Sequence, residues 1–136
     1  MSRTNEKNKS KKRTNMYGNA AHNIYAQNNV GIESQEKLIE MLYEGVLRFN
    51  AQAKKAMKDE DIEKKTYWIN RSVAIITELI TILDVERGGE VGLYLDGLYN
   101  HQIKSLVNAN IYDTPEKLDE VSNVFKSLLE AWRESV

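Results

Sequence analysis

Between Ile62 and Leu83 lie Ile69, Val73, Ile75, Ile76, Leu79, Ile80 and Ile82, with no proline to break the run. At about 100° per residue these side chains cover about half of a helix circumference, whereas a surface helix needs an apolar stripe only about 100° wide. A helix that is apolar this far round must meet more than one neighbour. A second pattern of the same kind reaches Leu106 across the link Val85-Glu86-Arg87-Gly88-Gly89-Glu90. A single proline and seven glycines against such long periodicities point to an all-helical chain.

Four helices follow from the start and stop signals. Ser34 is the expected N-cap of the first, with Glu36 in its opening turn at the positive end of the dipole. Leu38, Leu42, Phe49, Ala53 and Ala56 form its apolar stripe, flanked by Ile39, Tyr43, Val46 and Met57. Asp59 or Asp61 can cap the second helix, which is expected to run to about Leu83 or Glu86 and stop at Gly88-Gly89, glycine taking positive φ cheaply. The third starts near Glu90 and aligns Val91, Leu95, Leu98, Gln102 and Leu106, widened by Tyr94, Tyr99, Ile103 and Val107. Thr114-Pro115-Glu116 opens the fourth with a cap, an N1 proline and an early acid, and Leu118, Val121, Phe125, Leu128 and Trp132 keep the helical period. Connections of roughly four to eight residues make sequential helices antiparallel. The expected fold is an all-α antiparallel four-helix bundle over residues 34–136.

The segments before it differ in kind. Residues 16–33 mix asparagines with Tyr17, Ile24, Tyr25, Val30 and Ile32. Ala20–Gln27 makes about two helical turns, too short to stand alone, so this segment should dock on the bundle or be ready to leave it. Residues 1–15 carry six basic side chains against Glu6, giving +5 and leaving −6 on the other 121 residues of a chain whose net charge is −1. This tail has no apolar residue beyond Met1 and is expected to be disordered, whether native or an added extension before Met16. A basic tail can bind nucleic acid. Here no aromatic is interleaved for base stacking, and no nucleic-acid partner is expected.

The composition also limits chemistry. No apolar run approaches the ~20 residues of a membrane span, and the N-terminus lacks a secretory h-region. Without cysteine there is neither a disulfide framework nor a thiolate metal site, which suits a reducing cytoplasm. A di-iron bundle needs Glu-x-x-His, but Asn19 and Leu98 stand three residues before His22 and His101. Gly88-Gly89 could cradle a phosphate, except that Glu86 and Glu90 would repel it. No catalytic residue, metal or cofactor is expected.

The ordered motifs carry a resemblance. Met16-Tyr17 and Tyr25 come first, then Ser34 and Leu38-Ile39-Glu40-Met41-Leu42-Tyr43-Glu44-Gly45, then Leu83-Asp84-Val85-Glu86-Arg87-Gly88-Gly89-Glu90-Val91. Leu95, Leu98-Tyr99, Ala109-Asn110 and Glu130-Ala131-Trp132 follow at consistent spacing. Over residues 16–134 the chain resembles the FliS family of flagellar export chaperones. Tyr99-Asn100-His101-Gln102-Ile103, with Tyr67-Trp68-Ile69-Asn70-Arg71, looks like the form of the Helicobacter and Campylobacter group of bacteria. Gln35 replaces the family's usual proline.

The resemblance implies a cytoplasmic helical bundle that binds the disordered C-terminal segment of flagellin. It would prevent premature filament growth and present its cargo to the membrane-embedded export gate, with a co-chaperone as a further possible partner. In the family the N-terminal tyrosine segment covers part of the cargo groove and takes part in the gate interaction. By position that role falls on Tyr17 and Tyr25, with Ile24 supplying an apolar side chain where His22 replaces a usual hydrophobic residue. The surplus apolar surface of helices two and three can receive amphipathic helices of another chain, and Ile75, Leu79, Ile82, Tyr94 and Leu98 are the groove candidates. The alternatives are a nucleic-acid-binding or regulatory protein acting through its tail, and a helical bundle that pairs with itself.

Overall fold

The computed structural model describes residues 32–135, apart from the side chains of 32–34 and 85–87. The basic tail, the segment over 16–31 and the candidates Tyr17, Ile24 and Tyr25 lie outside the described residues. Within them the chain forms α1 (Ile32–Lys58), α2 (Ile62–Thr81), α3 (Val85–Tyr112) and α4 (Pro115–Glu134). The helices close into a square: α1 and α3 each pack against α2 and α4, while the diagonal pairs make no backbone-level contact. Cross-links between α1 and α4 run in opposite senses along the two helices. Glu36 meets Trp132, Glu40 and Glu44 meet Arg133, Asn50 meets Ser122, and Lys54 meets Asp119. This is the expected antiparallel four-helix bundle.

The links are short because one residue can serve two helices. Glu60 adopts φ 57°, and the amides of Glu60 and Asp61 return to the carbonyls of Met57 and Ala56 at 3.1 and 2.9 Å, which closes α1 in a Schellman turn. Asp61 then caps α2, its carboxylate accepting from the amide of Lys64 at 3.1 Å. At the far end of α3, Asp113 takes φ 49° and the Thr114 amide donates to Ala109 O at 3.1 Å. The nearby Asn110 carbonyl is satisfied by Lys65 Nζ at 3.0 Å, and the same ammonium pairs with Asp113. Lys65 is thus a buried lysine whose charge is fully occupied in tying the start of α2 to the end of α3.

Two boundaries differ from the sequence expectation. Ser34 is not the first cap, because α1 is already under way at Ile32. A cap is worth only about 1 kcal/mol, too little to fix where the helix begins. The second helix does not run to the glycines either. It ends at Thr81, and α3 starts at Val85, ahead of Gly88-Gly89. Leu83 is buried and pins the turn, and Asp84 precedes the new helix start before the glycines are reached. Gly89, at φ 55° and ψ −132°, then breaks the helical backbone, a conformation that favours glycine, so the continuous part of α3 begins at Glu90, the start expected from the sequence.

The core columns are Ile39, Tyr43 and Val46 on α1; Ile69, Ile76 and Leu79 on α2; Leu95, Tyr99 and Leu106 on α3; and Leu118, Val121, Phe125 and Trp132 on α4. Leu38 and Leu128 lie at the edges of their stripes, where Ile39 and Leu129 take the inward positions. Large rings fill the centre of the square. Tyr43 meets Phe125 and Trp132 edge-on, and Tyr99 stacks on Phe125. The hydroxyls of Tyr43 and Tyr99 share a buried 2.8 Å hydrogen bond across the α1–α3 diagonal. A second polar node sits at Asn50, which accepts from Ser72 Oγ at 2.7 Å and donates to Ser122 Oγ at 3.2 Å, joining three helices.

Replacing Glu60 by glycine should raise stability by about 0.5–1 kcal/mol, the relief of a left-handed residue less the added chain entropy; an unchanged or lower urea midpoint would contradict this. Tyr43→Phe and Tyr99→Phe should each cost about 1–3 kcal/mol by breaking the buried hydrogen bond, and the double variant less than their sum. Strictly additive losses would show the pair to be uncoupled. Burial, then Tyr99, raises the Tyr43 pKa well above its ordinary 10.0. The folded state therefore holds this proton more tightly than the unfolded chain does. The resulting stability is fully present below about pH 10 and is lost as pH rises beyond it. Alkaline denaturation of Tyr43→Phe should lack that component.

Candidate partner-binding surfaces

Which flank of a helix faces which neighbour follows from the printed contacts and the 100° helical step. On α2, Thr66 meets Asn110 of α3. Ile62, Val73 and Ile80 share that flank by helical phase. Ile75 lies on the other, α1-facing flank, and an added Cβ at Gly45 would come within 2.6 Å of Ile75 Cδ1. Gly45 is therefore small for a reason: the Ile75 side chain occupies the space a larger residue would need. Ile82 falls on the same flank as Ile75.

On α3 the phase runs from Asn110, which faces α2. Ile103 and Val107 lie close to that flank. Leu98 and Tyr94 are about 120° and 160° round from Asn110, across the core line and toward α4. The five groove candidates are consequently not brought together in one groove. Ile75 and Ile82 belong to the α1–α2 seam, and Tyr94 and Leu98 to the side of α3 nearer α4. Leu79 is fully buried within the core cluster. His101, on that same side of α3, is exposed.

Other side chains carry more accessible apolar surface. Met41 on α1 and Ile111 on α3 are each 64% exposed, and Ile62 at the start of α2 is 71% exposed. Leu93 and Ile111 point directly away from the core, since they stand about 160° from the Leu95 line. Val107 is exposed beside them, near the α2–α3 seam. Only Val107 among these had been read as widening the third helix's stripe. The signal for the rest lay in the sequence as apolar residues of α3 spread over two opposed faces.

The charged surface is organised differently. Arg133 bridges Glu40 and Glu44 at 2.8 and 2.6 Å, which raises the pKa of its guanidinium first through the Glu40 hydrogen bond. These exposed pairs orient α4 on α1 and add little stability. Among the described residues no group of His, Asp and Glu could hold a metal ion. No described helix is long and apolar enough to cross a membrane. The described surface carries exposed apolar side chains and ion pairs between α1 and α4.

Comparison with known proteins agrees in direction. Residues 17–136 match the family described as Flagellar protein FliS. The chain is 56% identical over 119 residues to the flagellar secretion chaperone FliS of Campylobacter jejuni, covering 88% of this chain and 93% of that protein. It is 39% identical over 123 residues to the flagellar secretion chaperone FliSB of Pseudomonas aeruginosa, covering 86% and 96%. Against the flagellar secretion chaperone FliS of Salmonella typhimurium the identity is 30% over 126 residues, covering 88% and 92%.

If the outward strip of α3 is surplus to the fold, Val107→Asp and Ile111→Asp should each change stability by no more than about 0.5 kcal/mol. Ile76→Asp, which would place a charge at a position with 0% exposure, should prevent folding. Thermal melts of the three variants separate surface from core. A large loss in Ile111→Asp would assign that side chain to the fold.

Proposed function

The chain belongs to the FliS family of flagellar proteins, and from that premise we propose that it is a cytoplasmic flagellar secretion chaperone. Its cargo is the C-terminal region of flagellin, which it covers to prevent premature polymerisation and then delivers to the export gate in the membrane. It acts by binding, without catalysis. The observation that carries this reading is the apolar surface left over once the bundle has closed: Met41, Ile62, Leu93, Val107 and Ile111 all remain accessible.

A disordered segment that folds as it binds spends a few kcal/mol on ordering, so its chaperone needs a long contact surface rather than one deep pocket. Strips on more than one side of the bundle suit a cargo chain that wraps. Ile75 and Ile82 would serve it on the α1–α2 seam, with Leu79 beneath them in the core, and Tyr94 and Leu98 on the α4-facing side of α3. The N-terminal segment, with Tyr17, Ile24 and Tyr25, would cover part of this surface and take part in the gate interaction. A co-chaperone could use a strip that the cargo leaves open.

Calorimetric titration of the full chain with a peptide of the flagellin C-terminus tests the reading. Saturable binding with a negative heat-capacity change is expected from apolar burial; no heat at high micromolar peptide would refute it. Ile75→Asp or Ile82→Asp should weaken binding about tenfold or more with helicity largely intact; loss of folding instead would assign these side chains, which pack against the core, to the fold. Removing residues 1–28 should leave affinity unchanged or raise it, because a covering segment competes with cargo. A large drop would make that segment part of the site.

A further inference from the structure

Halfway along the α1–α2 seam, two arginines from different helices converge on one ring. The guanidinium carbons of Arg48 and Arg71 lie 5.1 and 5.0 Å from the centroid of Phe49, and that of Arg71 is also 5.7 Å from Tyr67. Phe49 is itself held by Trp68 at 5.4 Å, so the platform is fixed by core packing. Both arginines are exposed, and neither forms an ion pair with any carboxylate among the described residues. A guanidinium carbon held over an aromatic ring is a cation–π position that restrains the long side chain, while its N–H groups are of the kind that grip a carboxylate in bidentate fashion. Much of the entropy cost of ordering these two long side chains is thereby met before a partner arrives.

Charge and position narrow the partner. Residues 16–136 sum to −6, so the arginine pair is a local positive site on a body that otherwise repels acidic chains, and a carboxylate is favoured at that spot alone. Seven residues along α1 from Arg48, about 10 Å at helical rise, Met41 stands exposed beside the Ile75 seam. The seam is therefore apolar at one end and cationic at the other. That pattern fits an amphipathic segment bearing a carboxylate about two helical turns from its apolar anchors.

We infer that Arg48 and Arg71 form a carboxylate clamp for an acidic residue of the flagellin segment, docked with its apolar side chains toward Met41 and Ile75. The inference rests on the chaperone reading above and specifies how one seam would hold the cargo's register. The test is titration of the flagellin C-terminal peptide into wild-type protein, Arg48→Gln/Arg71→Gln and Arg48→Lys/Arg71→Lys, each at about 50 and about 300 mM salt. The glutamine pair should bind about tenfold more weakly and lose most of the salt dependence, with an unchanged melting curve. The lysine pair should keep the salt dependence but recover only part of the affinity, since it restores charge without the fork. Wild-type binding that is insensitive to salt and to both pairs would overturn the clamp and leave the chaperone reading standing. Failure of the wild type to bind at all would overturn both. Arginine-dependent binding of an RNA oligomer with no peptide binding would assign the pair to phosphate instead and also overturn the proposal.

Discussion

The bond between the Tyr43 and Tyr99 hydroxyls is the contact on which the arrangement of the bundle turns. Diagonal helices in a square bundle do not touch by their backbones, so the centre must be filled by side chains long enough to reach across. Two tyrosines meeting tip to tip do this, and each supplies the other's polar partner. Sliding α1 by one turn against α3 would separate them and break this buried hydrogen bond, at about 1–3 kcal/mol. Asn50 imposes a similar demand lower down, where its amide needs Ser72 on one side and Ser122 on the other. Apolar packing draws the four helices together. The buried polar groups select one register from the several that packing alone would tolerate.

The features legible in the sequence were those governed by neighbours close in the chain. The helix count, the start of α4 at Thr114-Pro115 and the cap at Asp61 depend on local backbone chemistry, and so did most of the inward positions. At the α2–α3 link both local signals act: α2 ends early at Thr81, where buried Leu83 fixes the turn, and Gly89 still interrupts the helical backbone just ahead of Glu90. The candidate groove was less legible for a related reason. Ile75 and Tyr94 both sit on broad apolar arcs, and the arc does not reveal which edge faces which neighbour. Arg48 and Arg71 are further apart still in sequence and reach the same Phe49 ring only through the packing of α2 on α1.

A chaperone for a disordered segment faces a conflict between showing apolar surface and remaining monomeric. Here Met41, on α1, stands apart from the exposed residues along the α2–α3 side. Met41 is on α1, Ile62 on α2, and Leu93, Val107 and Ile111 on α3, with polar Asn100 and Lys104 between the last groups. Dispersed apolar surface gives a compact partner little to hold. A long flexible chain can collect several strips in one pass and gain from each.

The tie between Trp132 Nε1 and the Glu36 carbonyl has a consequence for how the chain reaches this state. It joins residues 96 apart in sequence, whereas the Ser72–Asn50 bond joins residues only 22 apart. By loop-closure entropy alone the longer link costs about 1.3 kcal/mol more. The α1–α2 hairpin can therefore close early, while α4 must find its place against a partner that left the ribosome long before it. Until Trp132 arrives, the flank of α1 that α4 will cover stays open to water. A newly made chain thus spends its first moments exposing much the same kind of surface that its folded form is proposed to cover on flagellin.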